Sequence, residues 1–418
     1  MKFEGTVAVV GLGYIGLPTS VVLASDNVRV VGVDTNELVV RKVNEGVAPI
    51  VEPGLGELLA TKVENGNLTA TTETPVADAY LIAVPTPITD DNQPDVSYLL
   101  SAVGSIAPRL RPGALVIIES TCPPGTTHMV EKAMASLRPD LVFPTHDGVT
   151  EVFVAHCPER VLPGRVLEEL VSNDRVIGGL SDACSDKASA VYETFCKGLL
   201  LRTDATSAEM AKLAENSFRD VNIAFANELA NISEALGVDP WEVIRLANRH
   251  PRVNILDPGP GVGGHCIAVD PWFLAAAAPK EAMLIPAART VNNGRPEKIV
   301  RKIRQAALDL NLGRVPVVAC LGLSFKPNID DLRESPAVEV VRELSTLGEF
   351  DVLAAEPHVR ELPQVLSDTH VRLVGYEEAV ISSDVLVLLV DHAAFASLRT
   401  SAEVRQKIRI DTRGFWKN

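Results

Sequence analysis

Short unbroken runs of Val, Ile and Leu alternate, in the first half of the chain, with longer stretches whose apolar residues recur at helical spacing. Val7–Val10, Val28–Asp34, Ala79–Val84, Ala114–Glu119, Val152–His156 and Arg175–Gly178 are the candidate strands, and Val96–Leu110 and Thr126–Leu137 have the length of helices between them. Apolar runs of about four to eight residues suit strands covered on both faces, as in a parallel sheet. The alternation predicts a doubly wound α/β domain.

The character changes near residue 203. Thr206-Ser207-Ala208-Glu209 reads as a capping box at the head of a long helix, in which the Thr and the Glu satisfy each other's backbone donors. Met210, Leu213, Ala224, Phe225, Leu229, Ile232 and Leu236 continue at largely helical spacing, and Gly237 can end the segment. A helix of about 30 residues spans about 45 Å, more than one domain needs, so it is expected to bridge two lobes or to form a dimer core. Asn254–Asp270 is rich in Pro and Gly but runs into Cys266 and an apolar segment, unlike a polar linker. Beyond residue 295 the alternation returns, with strands at Val315–Leu321, Asp351–Ala355, Val385–Val390 and Ile408–Asp411 and a helix at Ala337–Leu347. The predicted fold class is α/β: two Rossmann-like doubly wound domains joined by a long-helix central region, divided as 1–202, 203–298 and 299–418.

Composition narrows the partners. The 418 residues carry 39 Lys+Arg against 54 Asp+Glu, a net charge of −15. Such a chain gains nothing from phosphate counterion release, so nucleic acid is not an expected partner, and an anionic substrate must meet a local cluster of donors. The 6 cysteines form no C-x-x-C pair, which disfavours a zinc ribbon and fits a reducing cytoplasm. Thr6–Ser25 is uncharged and nearly as long as a membrane span, but Gly11, Gly13, Gly16 and Pro18 interrupt it. It reads as a strand, a turn and a helix start, with no membrane partner.

Gly11-Leu12-Gly13-Tyr14-Ile15-Gly16 follows the first strand and opens a helix, and Asp34 ends the second strand. In this setting the glycine string predicts a dinucleotide site. Gly11 permits the tight turn, Gly13 lets backbone approach a pyrophosphate, and Gly16 allows close helix–strand packing. Tyr14 and Ile15 stand at the helix entry, where backbone N–H groups meet an anion. Asp34 is expected to accept the ribose hydroxyls and to repel a 2′-phosphate, which favours NAD over NADP. Thr86 in Val84-Pro85-Thr86-Pro87 and Thr121 after Glu119-Ser120 end two further strands on the same side, within reach of cofactor or a reacting hydroxyl.

Gly261-Val262-Gly263-Gly264-His265-Cys266 carries the strongest chemical signal. Glycines such as Gly263 let backbone N–H groups turn toward a ligand, and a cysteine held there can attack a carbonyl. Cys122, Cys157, Cys184, Cys196 and Cys320 read instead as small buried hydrophobes. A metal site pairing His265-Cys266 with His156-Cys157 is disfavoured because adjacent ligands are poorly spaced for a closed zinc site, and no metal is expected.

Taken with Gly11–Gly16, the strings Pro85-Thr86-Pro87, Ser120–Thr126, Cys157–Gly164, Ala214–Arg219, Gly259–Pro271 and Leu321–Pro336 resemble the UDP-glucose/GDP-mannose dehydrogenase family over essentially the whole chain. Asn248–Phe273 looks most like the members that act on UDP-N-acetyl-D-mannosamine. The resemblance implies an NAD-dependent four-electron oxidation of a sugar C6 alcohol to a carboxylate. It places the catalytic nucleophile on Cys266, and the family's lysine and asparagine on Lys212 and Asn216, four residues apart on one helix face. Asp270 matches an aspartate that orients water or assists proton removal, Thr121 a threonine near that water, and Glu159 a base proposed for thioester hydrolysis. Lys212, Asn216, Glu159, Gly263 and Lys326 are the implied substrate contacts, with Arg413 beside them. Arg333 is the implied contact toward cofactor. Arg252, with Arg249 as second candidate, is the arginine lent across a homodimer interface.

Other readings stay open on the residues alone. The same chemistry could serve UDP-N-acetylglucosamine or UDP-glucose, since epimers differ by a few pocket contacts. A two-electron hydroxyacid dehydrogenase needs neither Cys266 nor the second α/β domain, and a non-catalytic NAD sensor needs no set like Cys266, Lys212, Asn216 and Asp270.

Overall fold

The computed structural model describes residues 2–416 apart from Asp147, Pro163 and His265. The chain packs as two compact units, Met1–Glu215 with Trp272–Pro279, and Asn216–Pro271 with Lys280–Asn418.

In the first unit, β1 (Gly5–Val10), β2 (Val28–Val33), β3 (Leu68–Thr71), β4 (Ala79–Ile82), β5 (Leu115–Ile118), β6 (Phe153–His156), β7 (Arg175–Gly179) and β8 (Leu200–Asp204) form one sheet, ordered β3-β2-β1-β4-β5-β6-β7-β8. Val7, Val9, Leu81 and Ile117 pack on one face, and Ala8, Val10, Ile82 and Val116 on the other. Burial on both faces is why these strands read as unbroken apolar runs. Edge strands β3 and β8 have no such run. They are partly exposed, and they escape notice in the sequence. The sheet is not wholly parallel: β7 runs antiparallel to β6. The connection between them stays at one end of the sheet, because its short helix Val166–Ser172 packs on the helix Gly16–Leu23 instead of crossing back. The uncharged Thr6–Ser25 stretch is β1, the glycine turn and that helix. Among the described residues no helix is long and apolar enough to cross a membrane.

The helix Ala205–Ala235 has 31 residues. Its head is not the expected capping box. Asp204 caps it, its carboxylate accepting from Ser207 N at 2.9 Å and Ser207 Oγ at 2.5 Å. Glu209 turns away to a neighbouring helix, Thr126–Leu137: it accepts from Gly125 N at 2.5 Å, Thr127 N at 2.7 Å and Thr127 Oγ1 at 2.6 Å. A buried carboxylate there serves the unpaired donors of a helix start better than its own helix would. Gly237 closes the segment with φ +68, as Val238 N reaches back to Ser233 O at 2.9 Å.

In the second unit, β9 (Val317–Leu321), β10 (Asp351–Ala355), β11 (Arg372–Leu373), β12 (Val385–Leu388) and β13 (Ile408–Asp411) form a parallel sheet ordered β11-β10-β9-β12-β13. This repeats the order β3-β2-β1-β4-β5 of the first unit. In both sheets the order reverses beside the first strand, which is where doubly wound sheets receive ligands, beyond the strands' carboxyl ends.

Candidate active site

The glycine turn has the shape a dinucleotide needs. Gly11 has φ +95, and a Cβ there would lie 2.4 Å from Ala83 O; one on Gly16 would lie 1.8 Å from Gly11 O. A Cβ on Gly13 would meet nothing within 4 Å, so that backbone faces open space where a pyrophosphate would lie. Asp34 also holds the turn: its carboxylate accepts from Leu12 N at 3.0 Å and Asn36 N at 2.9 Å. Each oxygen keeps acceptor capacity for a ribose hydroxyl. The residues present therefore fit NAD. Tyr14 is exposed and Ile15 immediately precedes the helix Gly16–Leu23.

Two further strand ends of this unit are knitted together. Thr86 Oγ1 donates to Thr121 O at 2.6 Å, and Ser120 Oγ to Val84 O at 2.7 Å. Glu159 is buried, accepts from Arg160 N at 2.6 Å and pairs with Arg175 at 3.4 Å. The Arg175 guanidinium lies over the Tyr192 ring at 4.7 Å, and Tyr192 OH donates to Glu119 at 2.8 Å. Burial pushes the Glu119 carboxyl up to about 7 against the pull of Arg175, and burial pushes the Cys157 thiol up to about 12. His156 is held down to about 3 by burial, so it stays neutral. Enclosed and protonated, Cys157 makes a poor metal ligand. His265, its companion in the disfavoured metal reading, lies outside the described residues.

In the second unit, Cys266 is exposed, while Cys122, Cys157, Cys184 and Cys320 are buried and Cys196 is intermediate. The loop that carries Cys266 is fastened from several sides. Gly259 N donates to Asn227 at 2.8 Å, Gly259 O accepts from Arg295 at 3.1 Å, and Asn227 leads through Asn292 to the buried Asp220–Arg289 pair. Beyond the cysteine the chain turns into the helix Asp270–Ala277, with Asp270 N bonded to Cys266 O at 2.9 Å. Asp270 is buried and accepts from Asn216 Nδ2 at 2.5 Å. The structure thus joins Asn216 to Asp270, four residues past Cys266. Lys212 lies one helical turn before Asn216 on the helix Ala205–Ala235.

The cysteine loop packs on the loop after β9. A Cβ on Gly263 would lie 2.4 Å from Glu334 O and 2.9 Å from Phe325 Cβ, and one on Gly264 about 3.1 Å from the Phe325 ring. That loop carries Lys326 and Arg333, and Arg333 is paired with Asp331 at 2.6 Å. Arg413 donates to Asp391 at 3.0 Å and to Pro258 O at 3.4 Å, so it too borders the cysteine loop. Arg249 and Arg252 are exposed.

Several residues that shape these loops escaped the sequence reading. Glu356 follows β10 as Asp34 follows β2, and it accepts from Leu323 N at 2.7 Å and Ser324 N at 3.1 Å, as Asp34 accepts from Leu12 N. Burial pushes the Glu356 carboxyl up, but His392 and the backbone donors outweigh it and leave it below its ordinary value. The signal was present: Asp391-His392 is a polar pair straight after the apolar run of β12, at a carboxyl end. Glu209 and Arg175 had no comparable signal, because their partners are distant in sequence.

Comparison with known proteins covers the whole chain. Three models of the UDP-glucose/GDP-mannose dehydrogenase family match it: the NAD binding domain at residues 5–196, the central domain at 206–294 and the UDP binding domain at 319–418. The chain is 53% identical over 412 residues to the NDP-N-acetyl-D-galactosaminuronic acid dehydrogenase of Ralstonia nicotianae, covering 98% of this chain and 96% of that one. It is 50% identical over 418 residues to the UDP-N-acetyl-D-mannosamine dehydrogenase of Escherichia coli K12, covering 99% of each. A solved UDP-N-acetyl-mannosamine dehydrogenase from Staphylococcus aureus matches with TM-score 0.86 and 40% identity, over 99% of this chain and 96% of that one.

Proposed function

This chain belongs to the UDP-glucose/GDP-mannose dehydrogenase family, and from that premise we propose that it oxidises the C6 alcohol of UDP-N-acetyl-D-mannosamine to the carboxylate. It is an NAD-dependent oxidoreductase with a UDP binding domain. The observation that carries the proposal is the exposed Cys266 on a clamped glycine loop, next to the Asp270–Asn216 pair and packed on the loop that holds Lys326.

NAD would be held by Gly11, Gly13, Gly16 and Asp34, with Tyr14, Ile15, Thr86, Thr121 and Arg333 as the further proposed contacts, and would supply a hydride acceptor for each of two oxidations. The chain's own groups do the rest. Asp270, oriented by the Asn216 amide, takes up the proton released from the alcohol or directs water to do so. The Cys266 thiolate adds to the resulting aldehyde, and the new C–S bond retains it as a thiohemiacetal. Removal of a second hydride together with the thiohemiacetal's hydroxyl proton, which Asp270 can again take up, would leave a thioester. Water then breaks the C–S bond to give the acid and free thiol, with Glu159 as base and Thr121 near the water. Lys212 and Asn216 stabilise the oxyanions of these steps. Lys326, Arg413 and backbone at Gly263 hold the nucleotide sugar.

The working form is a homodimer. Phe218, Phe225 and Ile232 recur every seven residues on the long helix and are 72%, 54% and 49% exposed, an apolar stripe suited to a second copy. Arg252 then reaches the neighbour's sugar site. Six cysteines free of disulfides fit a cytoplasmic enzyme. Functionally the division stays 1–202 for cofactor, 203–298 for dimer and cysteine, and 299–418 for nucleotide sugar.

The test is a panel of UDP-N-acetylmannosamine, UDP-N-acetylgalactosamine, UDP-N-acetylglucosamine and UDP-glucose with NAD. Two NADH per sugar are expected, fastest with the mannosamine compound. One NADH per sugar would sink the four-electron route. The galactosamine compound is the rival substrate, because the 53% identical relative is named for that configuration.

A further inference from the structure

Three side chains around the carboxyl ends of β10 and β12 form a polar cluster under the Lys326 loop. Glu356, His358 and His392 bring ligand-type atoms within 4.8 Å of one another, which invites a metal reading. The hydrogen bonds decide against it. His392 Nδ1 accepts from Asn328 N at 3.0 Å, so the ring proton sits on Nε2, which faces Glu356 Oε2 at 3.0 Å. A cation on Nε2 would have to displace the proton of a ring whose other nitrogen is already an acceptor, leaving an imidazolate.

The same bonds make a clamp. Glu356, 6% exposed, holds two amides just after β9, Leu323 N and Ser324 N. His392, fully buried, holds Asn328 N and touches Ser324 Oγ at 3.3 Å, while Ser324 Oγ donates to Lys326 O at 2.7 Å. Asn328, with φ +63, returns the grip by accepting Ala393 N at 2.8 Å. Lys326 therefore sits at the crest of a loop pinned on both sides. The neighbouring Asp391 holds Arg413, so two adjacent residues at the end of β12 anchor both cations of the nucleotide-sugar side. We propose that His392, backed by Glu356, is a positioning residue that fixes Lys326, and with it the affinity for the uridine diphosphate moiety, by pinning the backbone from Ser324 to Asn328. This rests on the reading of Lys326 as a nucleotide-sugar contact.

The experiment measures UDP and NAD binding to full-length enzyme by calorimetry, with KM and kcat alongside. His392→Leu is expected to weaken UDP at least tenfold and to raise the sugar KM, with NAD affinity within twofold of the parent. His392→Gln, whose amide reaches toward Glu356, should recover part of the loss. Asn328→Gly, which removes only the exposed bracket to Ala393, should weaken UDP in the same direction and remains informative if His392→Leu does not fold. Lys326→Ala should weaken UDP by itself, and adding His392→Leu to it should cost less than a further twofold. Full UDP affinity in His392→Leu or, should that variant not fold, in Asn328→Gly overturns the proposal, as does an equal loss of NAD affinity or an undiminished effect in the Lys326→Ala background. If Lys326→Ala alone changes nothing, the reading of Lys326 fails and the proposal with it. If Lys326→Ala weakens UDP and the clamp variants do not, only the clamp fails.

Discussion

At single residues, environment separates groups of identical chemistry. Cys266 is exposed, whereas Cys157 is enclosed with its thiol held up at about 12 and is inert at neutral pH. Cys266→Ser should keep NAD affinity within twofold and cut acid formation by more than about a thousandfold, read as product formed per enzyme; normal acid yield would refute covalent capture. Glu119 gives a pH prediction. Its folded-state value, about 7, lies above the ordinary 4.5 because burial favours the protonated form. The native state thus binds the proton more tightly than the unfolded chain, so this contribution to stability is fully present below about 4.5 and is lost as pH rises to about 7. Glu119→Gln keeps an acceptor for Tyr192 and removes the titration. It should raise the unfolding free energy at pH 8 relative to the parent by on the order of 3 kcal/mol at most, seen as a higher melting temperature, and change both little at pH 4. An equal shift at both pH values would show that the titration of Glu119 is not coupled to folding. Asp34 and Cys266 could be picked out from their neighbours in the chain. Glu119, Arg175 and Tyr192 could not, because each matters through partners that folding brings from elsewhere.

Elements recorded in the chain are those whose burial leaves a repeat. Central strands β1, β4, β5 and β12 are apolar on both faces and stand out, whereas edge strands β3 and β8 are partly exposed and do not. The head of the long helix shows a local rule losing to tertiary structure. Thr206 and Glu209 have capping-box spacing, yet Asp204 takes the cap and Glu209 serves the start of the helix Thr126–Leu137. Glu209→Ala leaves the amides of Gly125 and Thr127 without their acceptor, and it should lower unfolding free energy by roughly 3 kcal/mol in urea titrations. A loss below about 1 kcal/mol would mean that water replaces the carboxylate. Gly263→Ala tests the packing of the cysteine loop: its methyl would press on Glu334 O, so turnover should fall at least tenfold with NAD binding unchanged.

For the whole molecule, the stripe of Phe218, Phe225 and Ile232 predicts association. Phe225→Glu should convert a dimer to a monomer in sedimentation velocity and remove activity if Arg252 must come from the second copy; an unchanged dimer would place the interface elsewhere. The two α/β sheets and the long helix between them in sequence were written in local periodicity, because each strand and helix carries its own burial record. So were the nucleotide turn and Cys266, whose chemistry lives in contiguous residues. Folding alone decided the reversed strand β7, the cap at Asp204, the Asn216–Asp270 pair and the grip of Glu356 and His392 on the Lys326 loop. Each depends on which distant groups are left unpaired once the cores have closed, and no stretch of neighbouring residues contains that information.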